Sequence, residues 1–235
     1  MPRGFRDRRE AGRQLGQWLA HYAHRPDVIV LALPRGGVPV GAEVARALDA
    51  PLDVLVVRKL GVPGQEELAM GAIASAGAAG VVRVLNREVA RLVPDVDAAL
   101  ERAAAVEGRE LARRERAYRG DRPPPDVRGK TVLLVDDGLA TGSTMLAAVG
   151  ALRRLEPAHV VVAVPVGAAQ TCATFRRVAD ACVCAIETTA LHGVGRWFAD
   201  FTQTTDGEVQ EILAEAAGRP VPHAAAAVSM GAAAS

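Results

Sequence analysis

Two adjacent carboxylates, Asp136 and Asp137, follow a run of apolar residues and precede a loop of small residues in the stretch VLLVDDGLATGST, residues 132–144. A buried strand that ends in two acids places like charges side by side, where desolvation and mutual repulsion both disfavour ionisation. Ionised carboxylates are pure hydrogen-bond acceptors, which suits a vicinal diol with two O–H donors or a hydrated divalent cation. The pair therefore predicts a site for a ligand of one of these chemistries.

The loop after the acids is small and polar, and we expect a helix to begin at about Ser143. The free N–H groups of a helix N-terminus, the helix dipole and nearby hydroxyls together make an anion site. The predicted phosphate-binding residues are Ala140, Thr141, Gly142, Ser143 and Thr144. A diol clamp beside a phosphate cradle describes ribose 5-phosphate.

Other loop types fit this stretch less well. A Walker A loop requires G-x-x-x-x-G-K-[ST], whereas GLATGST has a different glycine spacing and no lysine. A dinucleotide fingerprint requires G-x-G-x-x-G after the first strand, whereas that turn reads PRGGVPVG. A simple helix-capping turn with exposed acids would account for one Asp but not for the whole string.

The elements that must position these residues recur along the chain as an apolar strand, a small-residue loop and a helical pattern. Three blocks share this order: DVIVLALPRGGVPVGAEVARALDA, KTVLLVDDGLATGSTMLAAVGALRRL and AHVVVAVPVGAAQTCATFRRVADA. Two further strands, LDVLVVR and ACVCAIE, bring the expected number to about five. Continuous apolar strands alternating with helices predict a doubly wound α/β fold with a mainly parallel sheet, whose sites lie beyond the carboxyl ends of the strands.

Two more segments are predicted outside the three blocks. Residues 8–22 have helical spacing, with Leu15, Trp18, Leu19 and Tyr22 on one side. The stretch AMGAIASAGAAGVVRVLN is typical of a β-hairpin with a Gly-Ala turn.

A long charged helix is predicted over about 95–118, with Glu and Arg three or four residues apart, and the three prolines of GDRPPPDVRG end it. We interpret this helix as a solvated or subunit-contacting face, with an RNA-facing surface as the alternative. The expected organisation is a single domain over 1–218, with an insertion at about 70–128 and a C-terminal hood at about 187–217. We expect 219–235 to be a disordered tail.

Composition limits the class of protein. The chain has 235 residues, of which 50% are hydrophobic and 23% charged, and its formal net charge is +1. This indicates a globular protein without a global preference for nucleic acid. The first residues, MPRGFRDRREAGRQ, contain no apolar core of a signal peptide, and no run of about 18 apolar residues exists. A cytoplasmic location without membrane contact is therefore expected.

Three cysteines, Cys172, Cys182 and Cys184, lie close together in the sequence. Cys182 and Cys184 are expected to share one face of a strand. There is no C-x-x-C motif and no His at a zinc-finger spacing, so we interpret the three as buried apolar residues, with a metal or redox role as the alternative.

The acidic stretch resembles the phosphoribosyl pyrophosphate (PRPP) signature of the type I phosphoribosyltransferases: an apolar strand, two acids, two usually aliphatic residues and a Thr/Gly-rich loop. Gly138 departs from it, since the pattern prefers an aliphatic side chain there, and this departure is expected to loosen the turn. The resemblance covers roughly residues 27–186. It adds two elements in the right order: a pyrophosphate-binding turn with Arg35, Gly36 and Gly37, and a basic strand end with Arg58 and Lys59 that leads into a mobile loop.

Taken singly, these two elements have ordinary interpretations as a tight turn and a solvated strand end. Together they imply transfer of ribose 5-phosphate from PRPP to a nucleobase or other nitrogen nucleophile, with release of pyrophosphate and with Mg²⁺ as cofactor. Asp136 and Asp137 would hold the ribose hydroxyls and contact Mg²⁺ indirectly, through water or substrate. The resemblance gives catalytic roles to these acids and to Arg35 and Lys59, with Arg58 assisting, and it implies a homodimer by analogy.

The acceptor is not assigned by the resemblance. In the 6-oxopurine enzymes of this family, the third residue after the second acid is usually an Asp that handles a proton on the base, and here it is Ala140. The residues of this stretch are more similar to those of adenine phosphoribosyltransferases. The insertion and the C-terminal region do not resemble those enzymes. The aromatic cluster GRWFADF offers Trp197, Phe198 and Phe201 to stack on a base, with packing of the last helix as the favoured alternative.

Two other functions remain open for this pattern. A non-catalytic PRPP-sensing regulator that binds nucleic acid would be expected to lack the basic pyrophosphate-side residues, whereas Arg35 and Lys59 are present. A hydrolase of phosphorylated ribosides would form ribose 5-phosphate without an acceptor. We expect the transferase.

Overall fold

The computed structural model describes residues 4–75 and 80–218, and within this range the side chains of 66 and 67 are not described. The expected tail 219–235 lies outside the described residues, as does 76–79, where the hairpin turn is predicted. No helix in the described ranges is long and apolar enough to cross a bilayer.

Helices and strands alternate through most of the described chain. The α-helices are α1 (Arg8–Trp18), α2 (Gly37–Leu48), α3 (Arg87–Ala90), α4 (Val96–Arg119), α5 (Ser143–Arg153), α6 (Ala169–Val178) and α7 (Asp206–Ala216). The strands are β1 (Val28–Ala32), β2 (Leu52–Val54), β3 (Val57–Val62), β4 (Gln65–Ser75), β5 (Val81–Leu85), β6 (Thr131–Val135), β7 (His159–Ala168) and β8 (Ala181–Thr188). Short 3₁₀ helices occupy Ala20–Tyr22 and Val194–Trp197.

The main sheet has five parallel strands in the order β2-β1-β6-β7-β8, which confirms the predicted α/β fold. Alternate residues of each strand enter two separate cores. Val30 and Leu133 pack on the face covered by α1, α2 and α7, whereas Leu31 and Leu134 pack on the face covered by α5 and α6. Burial on both faces explains why these strands read as unbroken apolar runs.

The second predicted strand, LDVLVVR, is divided between two sheets. Its first part is β2, at the edge of the main sheet, and its second part is β3, in a separate antiparallel sheet of order β3-β4-β5. The segment after Lys59 was predicted to be a loop, but it forms a hairpin in which Val62 pairs with Gln65 around Pro63 and Gly64. Gly64 has a φ of 78°, a left-handed conformation that glycine adopts without strain.

The hairpin predicted after that loop is confirmed, since β4 and β5 pair antiparallel from Gly71↔Leu85 to Ser75↔Val81. The long charged helix is also confirmed. In α4, Glu110 binds Arg114 at 2.7 Å and Glu115 binds Arg119 at 2.6 Å, four residues apart as expected.

Helix α4 is anchored to the main sheet by a buried ion pair. The Nε of Arg119 donates to Oδ1 of Asp53 in β2 at 3.0 Å, and the two side chains are only 5% and 10% exposed. The end of α4 is therefore held against β2, and the antiparallel sheet and α4 together form the part of the molecule that we call the insertion.

Helix α1 packs closely on α2, because two glycines of α1 face that helix. A Cβ on Gly12 would come within 2.5 Å of the carbonyl oxygen of Val40, and a Cβ on Gly16 within 2.8 Å of the Ala47 Cβ. Leu15 and Leu19 are fully buried, whereas Trp18, which the spacing placed on the same side of the helix, is 61% exposed.

Candidate functional site

The two acids meet the first glycine turn because their strands are neighbours. Asp136 directly follows β6, and the turn from Pro34 to Gly36 follows β1, the strand beside it. The peptide bond between Pro34 and Arg35 is cis. The carboxyl ends of parallel strands lie at one edge of the sheet, so this topology brings the predicted diol and pyrophosphate sites together.

The glycines of the turn are required by this close approach. A Cβ on Gly37 would lie 2.7 Å from the Val135 carbonyl oxygen and 2.9 Å from the Cα of Asp136. A Cβ on Gly36 would collide with the Asp137 carboxylate. The turn and the acids are therefore in direct contact, and together with loop 140–144 we call them the acidic edge.

The pKa values of the two acids are raised, as expected for two buried neighbouring carboxylates. Burial, and secondly the charge of Asp137, hold the pKa of Asp136 well above its usual value. Burial also raises the pKa of Asp137, opposed by a hydrogen bond from Arg8. The Asp137 backbone N–H donates to Oδ1 of Asp136 at 2.8 Å, which fixes the first carboxylate. A cation or a pair of hydroxyl donors at this place would favour the ionised forms.

Arg8 is a site residue that the sequence did not predict. Its Nε donates to Oδ2 of Asp137 at 2.8 Å, and one terminal nitrogen donates to the carbonyl oxygen of Thr202, also at 2.8 Å. Its guanidinium carbon lies 3.8 Å from the centre of the Phe201 ring. Arg8 is therefore held between an acid of the site and the C-terminal segment.

Local chemistry explains where Arg8 lies. Asp7 caps α1, because its side chain accepts from the backbone N–H of Glu10 at 2.7 Å, and this makes Arg8 the first residue of the helix. Arg8 and Asp137 are 129 residues apart, so no local spacing in the sequence could reveal the pair.

The predicted phosphate loop has the geometry of a helix start. Helix α5 begins at Ser143 as expected, and Gly142 before it has a φ of 75°. A Cβ on Gly142 would lie 2.7 Å from Cε2 of Phe175, so glycine is required for space as well as for backbone angle. The Thr171 hydroxyl of α6 donates to the Ala140 carbonyl oxygen at 2.7 Å and fixes the loop from behind. The first N–H groups of α5 are those that a helix leaves without an internal partner.

The departure at Gly138 does not loosen the turn as the sequence suggested. The side chain of Val194 occupies the space that an aliphatic residue at 138 would fill, with its Cγ2 2.6 Å from the position of a Cβ. The backbone on the other side is held by β7, since Leu139 N–H donates to Val166 and Ala168 N–H donates to Leu139, both at 2.9 Å. The missing side chain is supplied by the C-terminal segment.

Arg35 lies in the turn but contacts the last helix. One of its terminal nitrogens is 3.6 Å from Oδ1 of Asp206, at the start of α7. Tyr118 of α4 also donates to this carboxylate, at 2.7 Å, and burial with this hydrogen bond raises the pKa of Tyr118 to about 12. Arg35, which was predicted to bind pyrophosphate, is thus one-third exposed, and it shares the Asp206 carboxylate with Tyr118 of the insertion.

Arg58 and Lys59 lie on β3 rather than at the end of a main-sheet strand. Nε of Arg58 donates to Oε2 of Glu107 in α4 at 2.6 Å. Both residues line a cleft of about 550 Å³ between β3 and α4, which also includes Pro63 and Val106. No hydrogen bond or ion pair of the described residues joins them to the acids, so their role stays a prediction.

The aromatic cluster mainly packs against the N-terminal segment. Phe198 is 7% exposed and lies 5.6 Å from Phe5, ring centre to ring centre. The Phe5 N–H donates to the Trp197 carbonyl oxygen at 2.7 Å, and Phe201 stacks under Arg8. This favours packing over acceptor stacking for Phe198, although the contact is with the N-terminal segment and not with the last helix as predicted. Trp197 is half-buried.

Comparison with known proteins gives a consistent result. The family model described as "Phosphoribosyl transferase domain" matches residues 8–195. Two proteins of Mycobacterium tuberculosis, from strains CDC 1551 / Oshkosh and H37Rv and both named "Putative phosphoribosyl transferase", are each 46% identical over 209 residues, or 89% of this chain. The chain spans about half the length of these curated relatives, 46% in each case.

A solved structure of similar length also matches. The crystal structure of TT1426 from Thermus thermophilus is 40% identical, with a TM-score of 0.79 over 90% of this chain and 98% of that one. The family match begins at Arg8 and includes the acids and the phosphate loop. The chain belongs to the phosphoribosyl transferase domain family.

Proposed function

We propose that this chain transfers ribose 5-phosphate from PRPP to a nitrogen nucleophile and releases pyrophosphate. The observation that carries the proposal is the contact of Asp136 and Asp137 with the glycine turn at the edge of the sheet, where a Cβ on Gly36 or Gly37 would collide with the acids or their strand. The start of helix α5, whose free N–H groups could bind a phosphate, follows the acids in the same loop. PRPP needs this combination, because its diol lies between a 5-phosphate and a pyrophosphate group.

The donor set fits a requirement for Mg²⁺. Two half-buried carboxylates with raised pKa values gain from a nearby cation, which stabilises their ionised forms. Asp136 and Asp137 would hold hydrated Mg²⁺ through water or through the ribose hydroxyls. When bound, Mg²⁺ would neutralise charge on the pyrophosphate leaving group.

The chain's own residues would each act on the part of PRPP that lies beside them. Asp136 and Asp137 accept hydrogen bonds from the ribose hydroxyls, orient the ring and favour positive charge at the anomeric carbon as its bond to pyrophosphate breaks. The N–H groups and hydroxyls of 140–144 anchor the 5-phosphate, and this remote binding energy supports distortion at the reacting carbon.

The leaving pyrophosphate would be stabilised from the turn. The glycine turn lies against the acids, where the backbone N–H of Gly36 would face the pyrophosphate, whereas the Gly37 N–H already donates to the Leu33 carbonyl oxygen at 3.1 Å. Arg35 would reach the pyrophosphate by leaving its 3.6 Å contact with Asp206. Arg58 and Lys59 remain candidates for the same role, provided that the insertion brings β3 toward the bound substrate.

Arg8 would act as a positioning residue. Its hydrogen bond lowers the pKa of Asp137 and opposes the effect of burial, so it keeps the second acid ionised and correctly oriented for the diol. Because Arg8 also binds the Thr202 carbonyl and stacks on Phe201, the orientation of Asp137 depends on the C-terminal segment.

The acceptor remains a class rather than a compound. Ala140 has no group that exchanges a proton with a base, which argues against a 6-oxopurine. Nucleobases and other nitrogen nucleophiles are the candidates.

Pyrophosphate release in a panel of nucleobases and amines, with PRPP and Mg²⁺, tests the proposal. We expect release that depends on one acceptor class and is lost in Asp136→Asn. Formation of ribose 5-phosphate without any acceptor would indicate a hydrolase instead. Tight RNA binding with no turnover in any acceptor would indicate a regulator, and either result would overturn the transferase.

A further inference from the structure

A second group of reactive side chains lies behind the phosphate loop, between α6 and β8. Sγ of Cys172, Sγ of Cys184 and a carboxylate oxygen of Glu187 all lie within 4.8 Å of one another. The described residues include no other group of three or more His, Cys, Asp or Glu side chains that meets this condition. The first cysteine comes from the first turn of α6, and the other two residues come from the edge strand β8.

The cluster combines a dry interior with access from solvent. Cys172 is completely buried and Cys184 is half-buried, whereas the Glu187 side chain is 29% exposed. Gly167 makes room for both sulfurs, because a Cβ there would lie 2.5 Å from Sγ of Cys172 and 3.1 Å from Sγ of Cys184. An ion could therefore enter past Glu187 and reach the buried thiol.

The side chains of the cluster are of the types that hold a transition-metal ion. Thiolate sulfur and carboxylate oxygen both bind such ions. A metal takes cysteine as the thiolate, so both sulfurs would lose their protons when an ion binds.

We propose that Cys172, Cys184 and Glu187 form a zinc site. Two thiolates and one carboxylate are ligands that Zn²⁺ accepts, and the fourth tetrahedral position would be taken by water. Binding releases the protons of the two thiols to solvent and changes no oxidation state. The site is separate from the acids, the turn and the loop that would bind PRPP.

The third cysteine and an arginine complete the surroundings. Cys182 lies on β8 two residues before Cys184, but it is not among the three side chains that converge, so it would not be a ligand. Arg176 binds Oε1 of Glu187, which leaves the other carboxylate oxygen for the ion and fixes the orientation of the group.

The position of the site links it to the phosphate loop. Gly167, which packs on both sulfurs, pairs through its backbone with Leu139, two residues after the acids. Helix α6 also supports the loop through Phe175 behind Gly142 and through the Thr171 hydroxyl. Zinc would join α6 to β8 beneath this loop, so metal removal should lower thermal stability.

Metal titration of the whole chain, reduced and freed of metal by a chelator, tests the proposal. With Co²⁺ as the probe, we expect thiolate-to-cobalt charge-transfer absorption that saturates at one ion per chain and is displaced by one equivalent of Zn²⁺. Zn²⁺ should also raise the melting temperature. Absence of the absorption, or saturation without displacement by Zn²⁺, would overturn the site.

Variants separate the ligands from their neighbours. Cys184→Ser and Glu187→Gln, at partly exposed positions, should each weaken Co²⁺ binding at least tenfold, whereas Cys182→Ser should keep one-to-one binding with the charge-transfer band. Circular dichroism of the metal-free variants checks that each one folds. Equal loss in Cys182→Ser, or unchanged binding in Cys184→Ser, would contradict the assignment. These measurements use no substrate, so they stand or fall independently of the proposed transferase.

Discussion

The acidic edge and the insertion are held in place by different kinds of contact. At the acidic edge, neighbouring parallel strands end together, and glycines allow the turn after β1 to touch Asp136 and Asp137. In the insertion, position depends on side-chain pairs such as Arg119 with Asp53 and Arg58 with Glu107. Functional residues placed by backbone topology can be located from the sequence, whereas those placed by docked side chains cannot.

The largest expected effect is on the docking of the insertion. Asp53→Ala removes the partner of a 5%-exposed arginine and should lower the free energy of unfolding by about 3 kcal/mol, because the buried guanidinium keeps only Glu115 as a charged partner beside the Val54 carbonyl oxygen. Chemical denaturation measures the change. Glu101→Ala is the control, since it removes an exposed pair with Arg83 and should leave the free energy of unfolding nearly unchanged. Equal effects of the two changes would mean that the Arg119 pair does not hold the insertion.

A smaller effect is expected when the contact at the acidic edge is broken. Gly37→Ala places a methyl group against the Val135 carbonyl and the Asp136 backbone, and should cost about 2 kcal/mol of stability and weaken PRPP binding. Gly108→Ala is the matched change in the insertion, where α4 leaves open space, and should stabilise the chain by about 0.5–1 kcal/mol. Thermal denaturation of both variants compares the regions, and a neutral Gly37→Ala would refute the close contact.

A third change tests Arg8, the docked side chain that contacts Asp137 at the acidic edge. Arg8→Met removes the group that lowers the pKa of Asp137, so burial acts unopposed and that pKa rises further. Ionised Asp137 then requires a higher pH, and the pH profile of PRPP binding should move upward. Near neutral pH, loss of the charge-assisted hydrogen bond should weaken binding about tenfold, or about 1.4 kcal/mol.

Arg9→Met is the control for that change. Arg9 follows in the same helix but pairs with Glu43 at 3.6 Å, so the variant should keep the original pH profile. Calorimetric titration across a pH series gives the measurement. A profile that moves equally in both variants, or in neither, would remove Arg8 from the positioning of Asp137.

The main sheet and the phosphate loop were predictable because their signals are local. Unbroken apolar strands predicted burial on both faces of the sheet. The stretch DDGLATGST predicted that the acids follow a strand directly and that α5 starts at Ser143. The Gly-Gly pair after β1 indicated a close backbone approach, which the packing of Gly36 on Asp137 confirms.

The remaining features depend on contacts that no local pattern reports. The run LDVLVVR is apolar almost throughout, so nothing in it marks the change of sheet between Val54 and Val57. Pro63-Gly64 was an available turn signal for the hairpin that was predicted as a loop. Arg8 and Val194 reach the site from opposite ends of the described chain, and only the folded structure brings them to Asp137 and Gly138.

The central claim is that Asp136 and Asp137 receive Mg²⁺-bound PRPP, and calorimetric titration of the double variant Asp136→Asn/Asp137→Asn tests it most directly. Neutral amides relieve the repulsion and desolvation that raise the two pKa values, so the variant should fold at least as well as the original chain. Asp97→Asn, an exposed acid in the first turn of α4, is the control. We predict that the double variant binds Mg²⁺–PRPP at least about tenfold more weakly, about 1.4 kcal/mol, while the control is unchanged. Unchanged affinity in the folded double variant would contradict the account.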